Sequence, residues 1–94
     1  MTKKYWLDFG DNKTIIDNLP GYTRQRIKNT IKGLATNPRP KGSKPLKDEL
    51  EGLYRISVDR YRIIYAIHED IITVVIVRVD ERDNQTYKGL PDFD

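Results

Sequence analysis

Gly-Leu-Tyr-Arg-Ile-Ser-Val (52–58), Tyr-Arg-Ile-Ile-Tyr-Ala-Ile-His (61–68) and Ile-Ile-Thr-Val-Val-Ile-Val-Arg-Val (71–79) are three runs rich in β-branched and aromatic residues, separated by Asp59-Arg60 and Glu69-Asp70. Runs of this kind, bounded by polar turn residues, predict an antiparallel meander. Arg55 and Arg62 are set inside it. A guanidinium costs far more to desolvate than a hydroxyl, so an arginine in an apolar sheet must meet solvent or an anion.

The turns set the register. With Asp59-Arg60 as a two-residue hairpin loop, Val58 lies opposite Tyr61, Ser57 opposite Arg62 and Arg55 opposite Ile64. Arg55, Ser57 and Arg62 then share one face, together with Ile64, Val75 and Val77. The other face collects Tyr54, Ile56, Val58, Tyr61, Ile63, Tyr65 and Ile67, and a turn at Glu69-Asp70 adds Ile72, Val74 and Ile76. That second face is the one helices should cover.

Upstream, Tyr5 to Phe9 alternates and suits an opening strand that ends at Gly10. Asp11 to Asn18 forms a short helix, interrupted by Leu-Pro-Gly at 19–21. A longer helix runs from Gly21 to Thr36, with Tyr22, Ile27, Ile31 and Leu34 at near-helical spacing, and Asn37-Pro38 with Pro40 stops it. Residues 38–48 read as a proline-stiffened surface loop carrying Arg39, Lys41, Lys44 and Lys47. Past Val79 the chain turns polar, placing Arg82 and Tyr87 near the end of the third strand and the start of a short tail.

The chain therefore reads as one α+β domain over residues 1–94: an N-terminal strand, a two-helix hairpin, then a three-strand antiparallel meander, all in one curved sheet. Its formal net charge of +3 mildly favours polyanions. With no cysteine and one histidine, His68, neither disulfides nor a Cys- or His-rich metal site is available, and no cofactor is called for. The N-terminus lacks a signal-peptide apolar core and no apolar run is long enough to span a bilayer, so a cytoplasmic location is expected.

Arginines and a tyrosine converging at a sheet, without metal ligands or a glycine-rich phosphate loop, suit metal-free RNA cleavage among few other reactions. There a ribose 2′-hydroxyl attacks the neighbouring phosphate, and the protein must hold that phosphate, stabilise its added charge and move protons. Arginine offers the planar fork for the first two tasks, and tyrosine can stack on a base or orient a phosphate. Each residue also has a plain structural use: Arg62 could pair with Glu49 or Glu51, Arg55 could keep a strand edge soluble, and Arg82 lies in a charge-mixed stretch.

Pro45 to Tyr65, the strand Val74 to Val79, and then Arg82 and Tyr87 resemble the RelE/ParE toxin superfamily of type II toxin-antitoxin pairs. The resemblance implies a β-α-α-β-β-β fold and a small toxin neutralised by a co-expressed antitoxin. In the RelE branch it implies entry into the ribosomal A site and cutting of messenger RNA; in the ParE branch it implies action on DNA gyrase. On the RelE pattern, Arg62 contacts the scissile phosphate, Arg82 is a general acid or phosphate ligand, Tyr87 orients the RNA, and Arg55 holds the first of two basic positions in its strand. The second basic position, a base in some relatives, is Ser57, whose hydroxyl cannot act as a base unaided. Glu81 beside Arg82 is a candidate base, with Lys44 or Lys47 as alternatives. The expected catalytic set is thus Arg62, Arg82, Tyr87, Arg55 and Glu81, and the expected RNA contacts are Lys44, Lys47, Arg60, Ser57 and Arg78.

Overall fold

A computed structural model describes residues 4–81. The elements run β1 (Trp6–Asp8), α1 (Asn12–Asp17), α2 (Gly21–Leu34), β2 (Lys44–Pro45), a single 3-10 turn (Asp48–Leu50), β3 (Leu53–Val58), β4 (Tyr61–His68) and β5 (Thr73–Glu81). They form one five-stranded sheet in the order β1-β5-β4-β3-β2, with β1 parallel to β5 and the other pairings antiparallel. This is the α+β arrangement expected, with one short edge strand, β2, added from the segment read as a loop.

The β3–β4 hairpin has the register argued from its turn: Val58 opposite Tyr61, Ser57 opposite Arg62, Arg55 opposite Ile64. Asp59 opens the turn with φ of 56°, a left-handed conformation that aspartate tolerates better than most side chains. The two helices lie on one face, where Ile16, Ile27, Ile31 and Leu34 pack with Val58, Ile63, Tyr65, Val74, Ile76 and Val79. At about 1.5–3 kcal/mol for each large aliphatic side chain removed from water, this layer is the main source of stability.

Three expectations need correction. Tyr22 does not face the core; it is 74% exposed, with the Arg26 guanidinium stacked over its ring at 5.7 Å. The β4–β5 connection spans four residues, because His68 pairs with Thr73, so Ile72 leaves the core face and sits in the loop with φ of 49°. And β5 does not alternate evenly. Its register shifts between Ile64 and Tyr65, which pair with Arg78 and Ile76, leaving Val77 as an extra, half-exposed residue in a β-bulge. Beyond the bulge the faces exchange, so Val79 enters the core while Arg78 and Asp80 join the face away from the helices.

That bulge is held from outside the sheet. Gly10, with φ of +55°, turns the chain after β1, and the Asn12 side-chain amide then donates to the carbonyls of Ile76 at 2.9 Å and Phe9 at 3.2 Å. Asn12 is buried at 7% exposure, as a side chain serving a backbone carbonyl at a break in the ladder must be.

Candidate RNA-binding face

The face opposite the helices is organised in two rows that cross the strands. One row runs Lys44, Arg55, Ile64, Arg78 from β2 to β5; the next runs Ser57, Arg62, Asp80 from β3 to β5. Neighbouring strands are about 4.8 Å apart, so residues within a row touch or nearly touch. Four cations thus face one carboxylate on a surface two strand positions deep. Like charges at these separations repel, so the arrangement is costly to the apo fold and favourable to an anion laid across it.

A hollow of about 220 Å³ opens at the β2 side of this face, lined by Gly42, Lys44, Arg55, Ser57 and Arg62. A second hollow of about 240 Å³ adjoins it, lined by Lys44, Pro45, Leu46, Lys47, Asp48 and Arg55. The first is large enough to take a phosphodiester group. Arg62 forms its floor and is only 8% exposed.

Gly42 and Lys44 wall the hollow on its β2 side, and hydrophobic contacts just beyond them hold this segment in place. Leu46 and Leu50 cover Ile64, which is 1% exposed, and Leu53 packs beside them in a second small core on the cationic face. Ile64, expected on this face beside the arginines, is therefore sealed from solvent. The chain leading into this segment is tied to the sheet by polar contacts at Pro38 and Arg39. The buried Tyr65 hydroxyl donates to the Pro38 carbonyl at 2.8 Å, and the Arg39 guanidinium donates to the Tyr54 hydroxyl at 3.1 Å and to Glu69 at 3.2 Å. Tyr5 donates to the same Glu69 carboxylate at 2.6 Å. Burial raises the Tyr65 pKa, and the bond to Glu69 raises that of Tyr5.

The expected site residues divide accordingly. Arg55, Ser57, Arg62 and Lys44 come together around one hollow, Lys47 lines the adjoining one, and Arg78 joins the same face with its guanidinium paired to Asp80. Arg60 and Glu81 do not join them. Glu81 lies opposite Tyr61, on the side of the sheet that carries Val79, and its carboxylate pairs with Arg60 at 3.2 Å. Arg82 and Tyr87 lie outside the described residues. Asp80 and Asn12 were not singled out from the sequence. The signal for Asp80 was present: Val77-Arg78-Val79-Asp80 alternates with its apolar residues at odd positions, whereas Val74 and Ile76 fill the core from even ones. Both can hold only if a residue is bulged out between them.

The model of a protein family described as the ParE toxin of type II toxin-antitoxin systems, parDE, matches residues 11–86. The chain belongs to the ParE toxin family. Solved structures of the RelE/ParE superfamily share its fold. The crystal structure of the RelBE2 toxin-antitoxin complex from Mycobacterium tuberculosis contains a chain 30% identical, with a TM-score of 0.72 over 84% of this chain and 99% of that one. The archaeal RelE–RelB complex from Pyrococcus horikoshii gives 21% identity and a TM-score of 0.73 over 84% and 96%. Isolated RelE from E. coli gives 20% and 0.72 over 86% and 87%. No curated protein sequence matches. This ParE-family toxin is accordingly a type II toxin of the RelE/ParE superfamily. No helix among its described residues is long and apolar enough to cross a membrane.

Proposed function

We propose that this toxin is a ribosome-dependent endoribonuclease that cuts messenger RNA through attack of a ribose 2′-hydroxyl on the adjacent phosphate. The observation that carries the reading is the convergence of Lys44, Arg55 and Arg62 on one hollow large enough for a phosphodiester. Arg62, fixed in the floor, holds the scissile phosphate and stabilises the charge that builds on it; Arg55 and Lys44 grip the neighbouring backbone. Arg82 and Tyr87 complete the set as acid or phosphate ligand and as the residue that orients the RNA. The reaction belongs in the cytoplasm, where ribosomes carry the substrate in the A site. A cognate antitoxin neutralises the toxin, in keeping with the toxin-antitoxin complexes among its structural relatives; on this reading its segment lies over the cationic face and competes with RNA for the arginines.

The test is to express the toxin without a partner and map messenger RNA ends in the arrested cells. Codon-phased cuts that disappear with Arg62→Ala, a loss of roughly 10²–10³ in rate, support the reading. The same ends in the Arg62→Ala strain overturn it. The family match to ParE favours a second reading, inhibition of DNA gyrase. Intact messenger RNA with accumulating cleaved DNA would establish that one instead.

A further inference from the structure

We propose that Asp80 is the proton acceptor of the cationic face, the base that takes the 2′-hydroxyl proton. The proposal rests on the endoribonuclease reading and deepens it. Asp80 stands directly across the ladder from Arg62, the residue placed at the scissile phosphate, and it is the acidic residue of the two cross-strand rows. Its side chain is 36% exposed, open to substrate. The ion pair to Arg78 uses Oδ2. Oδ1 is then the oxygen that receives the proton.

The neighbouring candidates are disqualified by position or by chemistry. Glu81 is on the other side of the sheet, paired with Arg60. Ser57, at the far end of the Arg62 row, has no basicity of its own. The bulge is what makes the exchange: in an even β5 strand, Asp80 would point into the core beneath the helices and Glu81 would face the arginines. The burial of Val79 at 1% exposure rules that arrangement out. A carboxylate among phosphate-binding cations also weakens anion binding, so a surface built only to grip RNA gains nothing from Asp80.

The step balances as follows. The 2′-oxygen passes its proton to Asp80 and bonds to phosphorus; the bond from phosphorus to the 5′-oxygen breaks, that oxygen leaves with the electron pair, and solvent protonates it. The products are a 2′,3′-cyclic phosphate and a 5′-hydroxyl end.

The experiment measures single-turnover cleavage of messenger RNA on programmed ribosomes by the wild-type toxin and by D80N, D80E and E81Q. Binding is measured separately with a messenger RNA carrying a 2′-deoxy sugar at the A-site codon. D80N is expected to cut about a hundredfold more slowly while binding the deoxy substrate as tightly as wild type or more tightly. D80E should recover part of the rate. A fall of less than tenfold, a parallel loss of binding and cleavage, or a loss confined to E81Q overturns the assignment. If wild type does not cut, the endoribonuclease reading falls and takes this role with it; if wild type cuts and D80N cuts equally, only the role of Asp80 falls.

Discussion

Arg62 carries its charge at 8% exposure, in the floor of a hollow whose other cations crowd toward it. Charge alone is not its contribution. A lysine there keeps the charge but loses the planar fork that meets two phosphate oxygens at once. Arg62→Lys is therefore expected to leave messenger RNA cleavage at least tenfold below wild type with the melting temperature little changed, measured on programmed ribosomes and by thermal denaturation. Tyr65 works in the opposite sense, on the fold and not on the chemistry. Its ring stacks on Tyr54 at 5.8 Å between centroids and its hydroxyl ties down the Pro38 carbonyl. Tyr65→Phe leaves that buried carbonyl without its donor and should cost about 1–3 kcal/mol in urea unfolding. Arg55 and Arg62 stand out as anomalies in the sequence because arginine in an apolar strand is costly. Asn12 does not, since one asparagine after a glycine turn looks like any helix start.

At the scale of elements, the β5 bulge matters most for the site. It inserts Val77, moves Val79 inward and delivers Arg78 and Asp80 to the cationic face. The sequence reading had the hairpin at Asp59-Arg60 right because a two-residue loop leaves one register. The bulge is not legible locally because the four consecutive apolar residues from Val74 to Val77 suit either face; in the fold the Asn12 amide bonds the Ile76 carbonyl beside it. Asn12→Ala should thus destabilise the fold by about 1–3 kcal/mol and also lower cleavage measured well below the melting point. Loss of stability with full cleavage of the folded fraction would show the bulge persists without its brace. Lysines and prolines dominate the β2 segment and mark it as solvated surface. Leu46 and Leu50 instead close over Ile64, and this packing is what sets Lys44 opposite Arg55.

Across the whole molecule, a helical layer covers one face of a single sheet and leaves the other for cations, so most of the stability comes from one side and the binding from the other, apart from the small core that Leu46 and Leu50 form over Ile64. Stability carries a mark of this at high pH. Tyr65, through burial, and Tyr5, through its bond to Glu69, hold their protons above the ordinary tyrosine value of 10.0. The folded chain then binds more protons than the unfolded one at alkaline pH, so this contribution is complete below about pH 10 and is lost as pH rises through the raised values. Melting temperatures followed across that range should fall, and fall less steeply in Tyr65→Phe. Residue order was enough to specify the α+β class, the helical hairpin, the β3–β4 register and the shared face of Arg55, Ser57 and Arg62, because alternation and turn chemistry are local. The partners of that face depended on contacts between distant segments: Leu46 and Leu50 on Ile64, and Asn12 on Ile76, 64 residues away. Local periodicity cannot register such contacts. Asp80 and not Glu81 meets the arginines because the strand bulges at Val77, beside the carbonyl that an asparagine from the other end of the chain satisfies.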